Sequence, residues 1–158
     1  MKQFRYYIEH LFLLFLHGLC KILPWEIGSG FFGKIAGFLG PKMAMNRKAV
    51  RHIRAALQCD EATAQTIAKG HWNNLGRVIA EYPKLKTIAT HHVRFQGLEH
   101  IERLRDDGQG GVSFGAHLGN WEVIPHALIH HADFSMHPVY RAPNNPYVDK
   151  RLHEYRSP

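Results

Sequence analysis

The rhythm of apolar and polar positions changes near His92, and the change divides the chain into two kinds of element. Residues 4 to 23, FRYYIEHLFLLFLHGLCKIL, are the most apolar stretch and predict a helix that Pro24 ends. The unbroken apolar core of that stretch, Leu11 to Leu16, is short. Glu9, His10, His17 and Lys21 interrupt the rest, so it falls short of the roughly 20 apolar residues of a spanning helix. After Pro41 a second helix is expected to about Gln58, with Arg47, Lys48, Arg51 and Arg54 largely on one face and Val50, Ile53 and Leu57 on another. Asp60 reads as the N-cap of a long helix reaching Glu81 and stopped by Pro83.

Beyond His92 the period shortens. Val93-Arg94-Phe95 alternates as a strand, and Leu98 to Asp107 reads as a helix closed by Gly108. Val112 to Phe114 is the next expected strand, with a helix from Glu122 to His131. Phe134 to Tyr140 is a third strand, followed by a helix from Pro146 to Arg156. This order predicts an α/β fold: an N-terminal helical segment, then a parallel or mixed sheet flanked by helices. The expected organisation is one domain, with a membrane-associating helix over 1–24, a helical cap over 25–90 and the start of the α/β core over 91–158. Three strands make a thin sheet, so the core is expected to be truncated after Pro158.

The chemistry concentrates where the second strand should end. Gly111 to Glu122 reads GVSFGAHLGNWE, a β-compatible run, a turn of small residues, then the start of a helix. Open α/β sheets place their sites outside the carboxyl ends of strands. Gly115, Ala116 and Gly119 allow a ligand close to the backbone, and Asn120 is an N-cap candidate that would put Glu122 in the first helical turn. Four residues separate His117 from Glu122. A carboxylate there can hydrogen-bond one ring nitrogen and leave the other as a base. Spacing alone favours the plainer reading, with Glu122 serving only the helix start and His117 filling the turn.

The block GAHLGNWE resembles the signature of the late lipid A acyltransferases, in which a histidine and an acid stand four residues apart in this Gly-Asn-Trp-Glu setting. The wider glycerolipid acyltransferase superfamily usually has aspartate as its acid. Upstream, Asn73-Asn74-Leu75-Gly76-Arg77 and Glu81 resemble the family's helix before its sheet. Downstream, Val139-Tyr140-Arg141 and Asn145-Pro146 resemble its next block. The resemblance implies transfer of a fatty acyl group from acyl carrier protein to a hydroxyl of a lipid A precursor. His117 would be the general base and Glu122 its orienting acid. Arg141, and less directly Arg156, would bind substrate, with Gly119 and Asn120 beside the oxyanion. No cofactor is implied beyond the carrier-protein thioester as co-substrate. The family is longer than this chain, which gives the expectation of a fragment.

Charge and composition narrow the partners. A formal net charge of +7 on 158 residues favours anionic ones. The basic helix at 47–54 can dock anionic lipid headgroups or simply be solvated, and it lacks the stacking aromatics of a nucleic-acid surface, so no nucleic acid is expected. The stretch at 4–23, with Lys2 and Arg5 at its start and Trp25 after it, predicts an amphipathic anchor at the cytoplasmic face of the inner membrane. A buried helix is the plainer alternative. An inactive product that only binds anionic membrane is the rival to the enzyme. Cys20 and Cys59 lack CxxC spacing, and His126 and His130 lack the acid of HExxH, so no metal is predicted. Gly28 to Gly33 spells GxGxxG without a preceding strand. That excludes a dinucleotide site and leaves Gly33 and Gly37 for close helix packing.

Overall fold

The computed structural model describes residues 2–109, 111–134 and 136–157. The helices among them are α1 (Lys2–Ile22), α2 (Trp25–Leu39), α3 (Ala44–Leu57), α4 (Glu61–Glu81), α5 (Leu85–His91), α6 (Leu98–Asp106), α7 (Val123–Ala132) and α8 (Pro146–Arg156). Single 3-10 turns follow α2 at Gly40–Lys42 and α4 at Tyr82–Lys84. The chain divides into two compact units, Leu19–Glu81 and Met1–Gly18 with Tyr82–Pro158.

In the unit Leu19–Glu81, α2 packs along α4 at very short range. A Cβ at Gly76 would stand 2.5 Å from that of Ala36 and 2.6 Å from the Phe32 carbonyl oxygen; one at Gly33 would stand 3.1 Å from the Asn73 carbonyl oxygen. Only glycine lets the two backbones approach this closely. The GxGxxG run is therefore part of a helix, and Gly33 and Gly37 serve packing, as their spacing predicts. Ser29, buried on α2, donates to Glu81 Oε1 at 2.5 Å, and Arg77 reaches back to the Ser29 hydroxyl at 3.4 Å. The Asn73–Arg77 block and Glu81 thus join α4 to α2. Asp60 caps α4 by accepting from the Thr63 amide at 2.7 Å, and that hydrogen bond holds its carboxyl below the usual range. Trp72 donates to Asn46 Oδ1 at 2.9 Å, fixing α3 against α4 over a small core of Val50, Ala64 and Ala68. The outer face of α2 leaves Ile27, Phe31, Ile35 and Phe38 exposed at helical spacing.

In the second unit, α5 packs on α7. Leu85, Ile88 and Ala89 are buried, as are Ala127, Leu128 and Ala132 on α7, and the His131 ring meets the Ala89 carbonyl at 2.8 Å. Burying a side chain the size of Leu85 contributes roughly 1.5–3 kcal/mol. Asn145 is the N-cap of α8. Its Oδ1 accepts from the Tyr147 and Val148 amides, while its Nδ2 donates to the Tyr6 carbonyl at 2.8 Å and to Glu9 Oε2 at 2.9 Å, tying α1 to the start of α8.

The expected sheet does not form. Among the described residues there is no strand, and the fold is helical rather than α/β. Residues 93–95, 112–114 and 136–140 carry β-compatible patterns but run without ladder partners; Ser135, inside the third expected strand, lies outside the described residues. A strand satisfies its backbone only against a neighbour, and none of these segments has a ladder partner among the described residues; Val112, Phe134, Met136 and Val139 line one cavity of about 690 Å³. Neighbouring strands must lie about 4.7–4.9 Å apart to exchange hydrogen bonds. Val112, Phe114 and Val139 remain exposed as a result. The helices behave otherwise: those expected over 98–107, 122–131 and 146–156 form within a residue or so of their predicted ends.

Candidate active site

The site is built where an exposed, extended segment meets the first turn of α7. Residues 111–119 are exposed, and the Leu118 amide donates to the Ala116 carbonyl at 2.8 Å to start the turn. Gly119 then takes φ +55°, a left-handed conformation that turns the chain inward. Asn120 Oδ1 accepts the Glu122 amide at 3.1 Å, and the Asn120 carbonyl accepts the Val123 amide at 3.2 Å. The helix therefore begins at Val123 with Glu122 in the N-cap position. Asn120 caps a turn just before the helix.

Glu122 is buried, and donors meet both of its oxygens. Arg156 Nε donates to Oε2 at 2.8 Å and Nη2 to Oε1 at 2.6 Å, a two-point fork, while Trp121 Nε1 donates to Oε1 at 3.1 Å. The second guanidinium nitrogen of that fork also donates to the Tyr82 hydroxyl at 3.0 Å, and that hydroxyl in turn hydrogen-bonds Glu122. Burial pushes the Glu122 carboxyl upward. The hydrogen bonds from Arg156 and Tyr82 outweigh burial, and the carboxyl lies below its ordinary value. Burial, then the neighbouring Glu122 charge, pushes Tyr82 well above the usual tyrosine range. The hydrogen bond to Glu122 pushes Arg156 up as well. Glu122 is thus an ionised carboxylate, and Tyr82 a neutral hydroxyl.

His117 is exposed. Its ring stands edge-on to Trp121, centroids 4.6 Å apart. It lines a cavity of about 530 Å³ with Trp121, Glu122, Tyr82, Tyr140, Arg141 and Arg156. The histidine and the acid therefore face one space, but in this conformation Arg156, rather than His117, is hydrogen-bonded to the carboxylate. Arg141 reaches the same cavity and is exposed. The Arg156 guanidinium lies 5.0 Å from the Tyr140 ring centroid as well as on Glu122. Gly119 and Asn120 shape the turn.

Tyr82 belongs to this cluster and carries no signal in the sequence. It precedes Pro83 at the end of a long helix, forty positions before Glu122, and no spacing rule links the two. His126 is buried, with its Nε2 at 2.9 Å from the Tyr155 carbonyl, and burial lowers its pKa, so it is a neutral structural donor. Among the described residues no three of His, Cys, Asp and Glu come together as a metal site. Residues 1–158 match the family model described as bacterial lipid A biosynthesis acyltransferase. No curated protein and no solved structure matches the chain.

Proposed function

The chain belongs to the bacterial lipid A biosynthesis acyltransferase family, and we propose that it moves a fatty acyl group from acyl carrier protein to a hydroxyl of a lipid A precursor. The observation that carries this reading is one cavity shared by His117, the ionised Glu122, Arg141 and Arg156. His117 takes the proton of the acceptor hydroxyl as its oxygen bonds to the thioester carbonyl. The tetrahedral intermediate collapses, the carbon–sulfur bond breaks, and the carrier thiolate leaves with the proton from the imidazolium. No serine or cysteine of the enzyme is needed as nucleophile, since the acceptor supplies the attacking oxygen.

Glu122 stabilises the imidazolium by its fixed negative charge. Arg156, Tyr82 and Trp121 hold that charge in place, so Arg156 acts first as the positioning residue for the acid. A hydrogen bond from His117 to Glu122 forms on substrate binding, as the ring on the exposed segment turns toward the carboxylate it shares a cavity with. Arg141, exposed and facing the cavity, is placed to grip a phosphate of the acceptor. Backbone amides of the Gly119 turn are the donors for the developing oxyanion.

The acceptor is a lipid, and the exposed apolar residues fit attachment to the surface of the inner membrane on its cytoplasmic side. Phe4, Phe12 and Phe15 on α1 and Phe31 and Phe38 on α2 are more than half exposed. Among the described residues no helix is long and apolar enough to cross a membrane. Those same exposed residues favour a second reading, an inactive protein that only binds anionic membrane. Acyl transfer from acyl carrier protein to a lipid A precursor by the wild-type chain and by His117→Ala separates the two. Turnover abolished by the substitution supports the enzyme; turnover that survives it sinks the mechanism, and vesicle binding with no turnover in either chain favours the second reading.

A further inference from the structure

The carboxylate of Glu122 is saturated. Its donors are Nε and Nη2 of Arg156 at 2.8 and 2.6 Å, Trp121 Nε1 at 3.1 Å and the Tyr82 hydroxyl. An ionised carboxylate offers about four lone-pair sites, so these donors leave no place for an N–H of His117. Base and acid line one cavity, yet they join only after a donor leaves. The donors differ in what can draw them away. Trp121 precedes Glu122 in the chain, and its ring already stands against His117. Tyr82 is neutral and buried, the first residue of the 3-10 turn after α4. Arg156 is the cation among them, and its side chain is 23% exposed against 9% for the acid it holds. Its Nη1 takes no part in the grip on Glu122. The same side chain borders a second recess of about 430 Å³ with Pro125, Ile129 and Pro138. The guanidinium therefore has donors to spare and space to turn into.

Arg141, exposed, lines the same cavity as Arg156, and two guanidinium groups on one cavity match a phosphate, which accepts forked hydrogen bonds from both. We propose that Arg156 is a latch on the acid, opened by an anionic group of the acceptor. A phosphate held by Arg141 draws the Arg156 guanidinium off Glu122, and the vacated lone pairs take the ring N–H of His117. The buried charge keeps a partner through the exchange: it loses one cation and gains another when His117 takes the proton of the acceptor hydroxyl. A ligand shifts such an equilibrium only by the difference in its affinity for the two states, and the phosphate meets the freed guanidinium only in the open one. An acceptor that lacks the anion enters the cavity but leaves base and acid apart. The latch thus selects the substrate through the rate of the chemical step as well as through binding. The assignment rests on the acyl transfer to a hydroxyl argued above.

The test uses the full chain beside Arg156→Gln, which loses the charge, and Arg156→Lys, which keeps the charge and loses the fork. Circular dichroism confirms the fold of each. Acyl transfer is measured at saturating acceptor, on a lipid A precursor and on the same precursor stripped of phosphate. In the wild type, kcat should fall by about tenfold when the phosphate is removed, within the usual range of coupling between two sites. That ratio should shrink toward one in Arg156→Gln and lie between the two in Arg156→Lys. A merely structural role for Arg156 would lower both rates together and keep the ratio. A wild-type kcat indifferent to the phosphate, or the wild-type ratio retained in a folded variant, overturns the proposal. Should Arg156→Gln fail to fold, Arg156→Lys decides. The latch is also read without turnover. The Arg156 Nε–H, bonded to Glu122 in the resting protein, should shift in nitrogen-15 NMR spectra with the phosphorylated precursor and stay in place with the stripped one. A resonance indifferent to the phosphorylated precursor overturns the proposal as well. If the wild type acylates neither acceptor, the enzymatic reading fails while this shift still decides the latch.

Discussion

The α2–α4 pair and the segments 111–119 and 136–141 are made of comparably apolar sequence, yet they end in opposite states. In the helix pair, backbone hydrogen bonds close within each helix and Gly33 and Gly76 bring the two axes together, so the apolar and polar side chains of the contact are buried in each other. In the extended segments Val112, Phe114, Leu118 and Val139 stand exposed because a strand can satisfy its backbone only against a neighbour. The same contrast runs through the catalytic pair. Glu122 sits at the start of a packed helix, buried and met by Arg156, Tyr82 and Trp121; His117 sits five residues earlier on the exposed segment. One half of the site is rigid by packing, and the other is free to meet a substrate.

That contrast can be broken from either side. His117→Ala should lower acyl transfer on the order of a hundred- to ten-thousand-fold, the usual worth of a positioned base. Its stability should change by less than about 0.5 kcal/mol, as for an exposed residue. Single-turnover kinetics beside urea unfolding checks both, and a large loss of stability would mean that His117 is structural. Glu122→Ala should do the reverse to the fold. It leaves the Arg156 guanidinium without its counter-charge and should destabilise the protein by about 3 kcal/mol, read as a lower urea midpoint. Gly76→Ala tests the helix pair: the added methyl meets Ala36 and the Phe32 carbonyl and should cost about 1–3 kcal/mol. Gly115→Ala, with nothing within 4 Å of its Cβ, serves as the quiet control.

Stability against pH sharpens the same comparison. Glu122 has a depressed pKa in the fold, so its contribution is present above the ordinary glutamate value of about 4.3 and is lost as pH falls through the lower folded value. His126, also depressed, begins an acid loss earlier, below about 6.5, because the unfolded chain takes up a proton that the buried ring resists. Tyr82 is raised, so its contribution is intact below about 10 and fades as pH rises toward the folded value. Urea midpoints measured across pH should therefore show a plateau between these limbs. Glu122→Gln should shrink the acidic limb, to which Asp60 also contributes, and Tyr82→Phe the alkaline one; limbs unchanged by either substitution would place the titrations elsewhere. The smallest effect expected is that of Arg141→Ala, a rise in KM for the acceptor of about tenfold with no shift of the unfolding midpoint, as befits a cavity-facing surface charge.

The site was legible to the extent that it is local. His117, Gly119, Asn120, Trp121 and Glu122 are contiguous, and the block they form carries both the family and the pair of candidate groups. Arg141 was legible through the neighbouring block and Arg156 as resembling a second family arginine, and both line the cavity. That Arg156 grips Glu122, and that Tyr82 completes the hold, was not legible, because these residues lie in three separate elements and meet only through packing. The Asn120 cap was legible as a type of residue, but the turn it stabilises sits before the helix.

Helix starts, stops and faces were set by the sequence itself. Each helix satisfies its own backbone, and its limits follow from nearby residues such as Asp60, Pro24, Gly108 and Asn145. A strand has no such independence. The tertiary structure decided that residues 112–114 and 136–140 form no ladder, and that an ionised carboxylate is fixed by a guanidinium 34 positions away. Pairing partners and buried charge depend on what arrives from elsewhere in the chain, so no local pattern of residues can specify them.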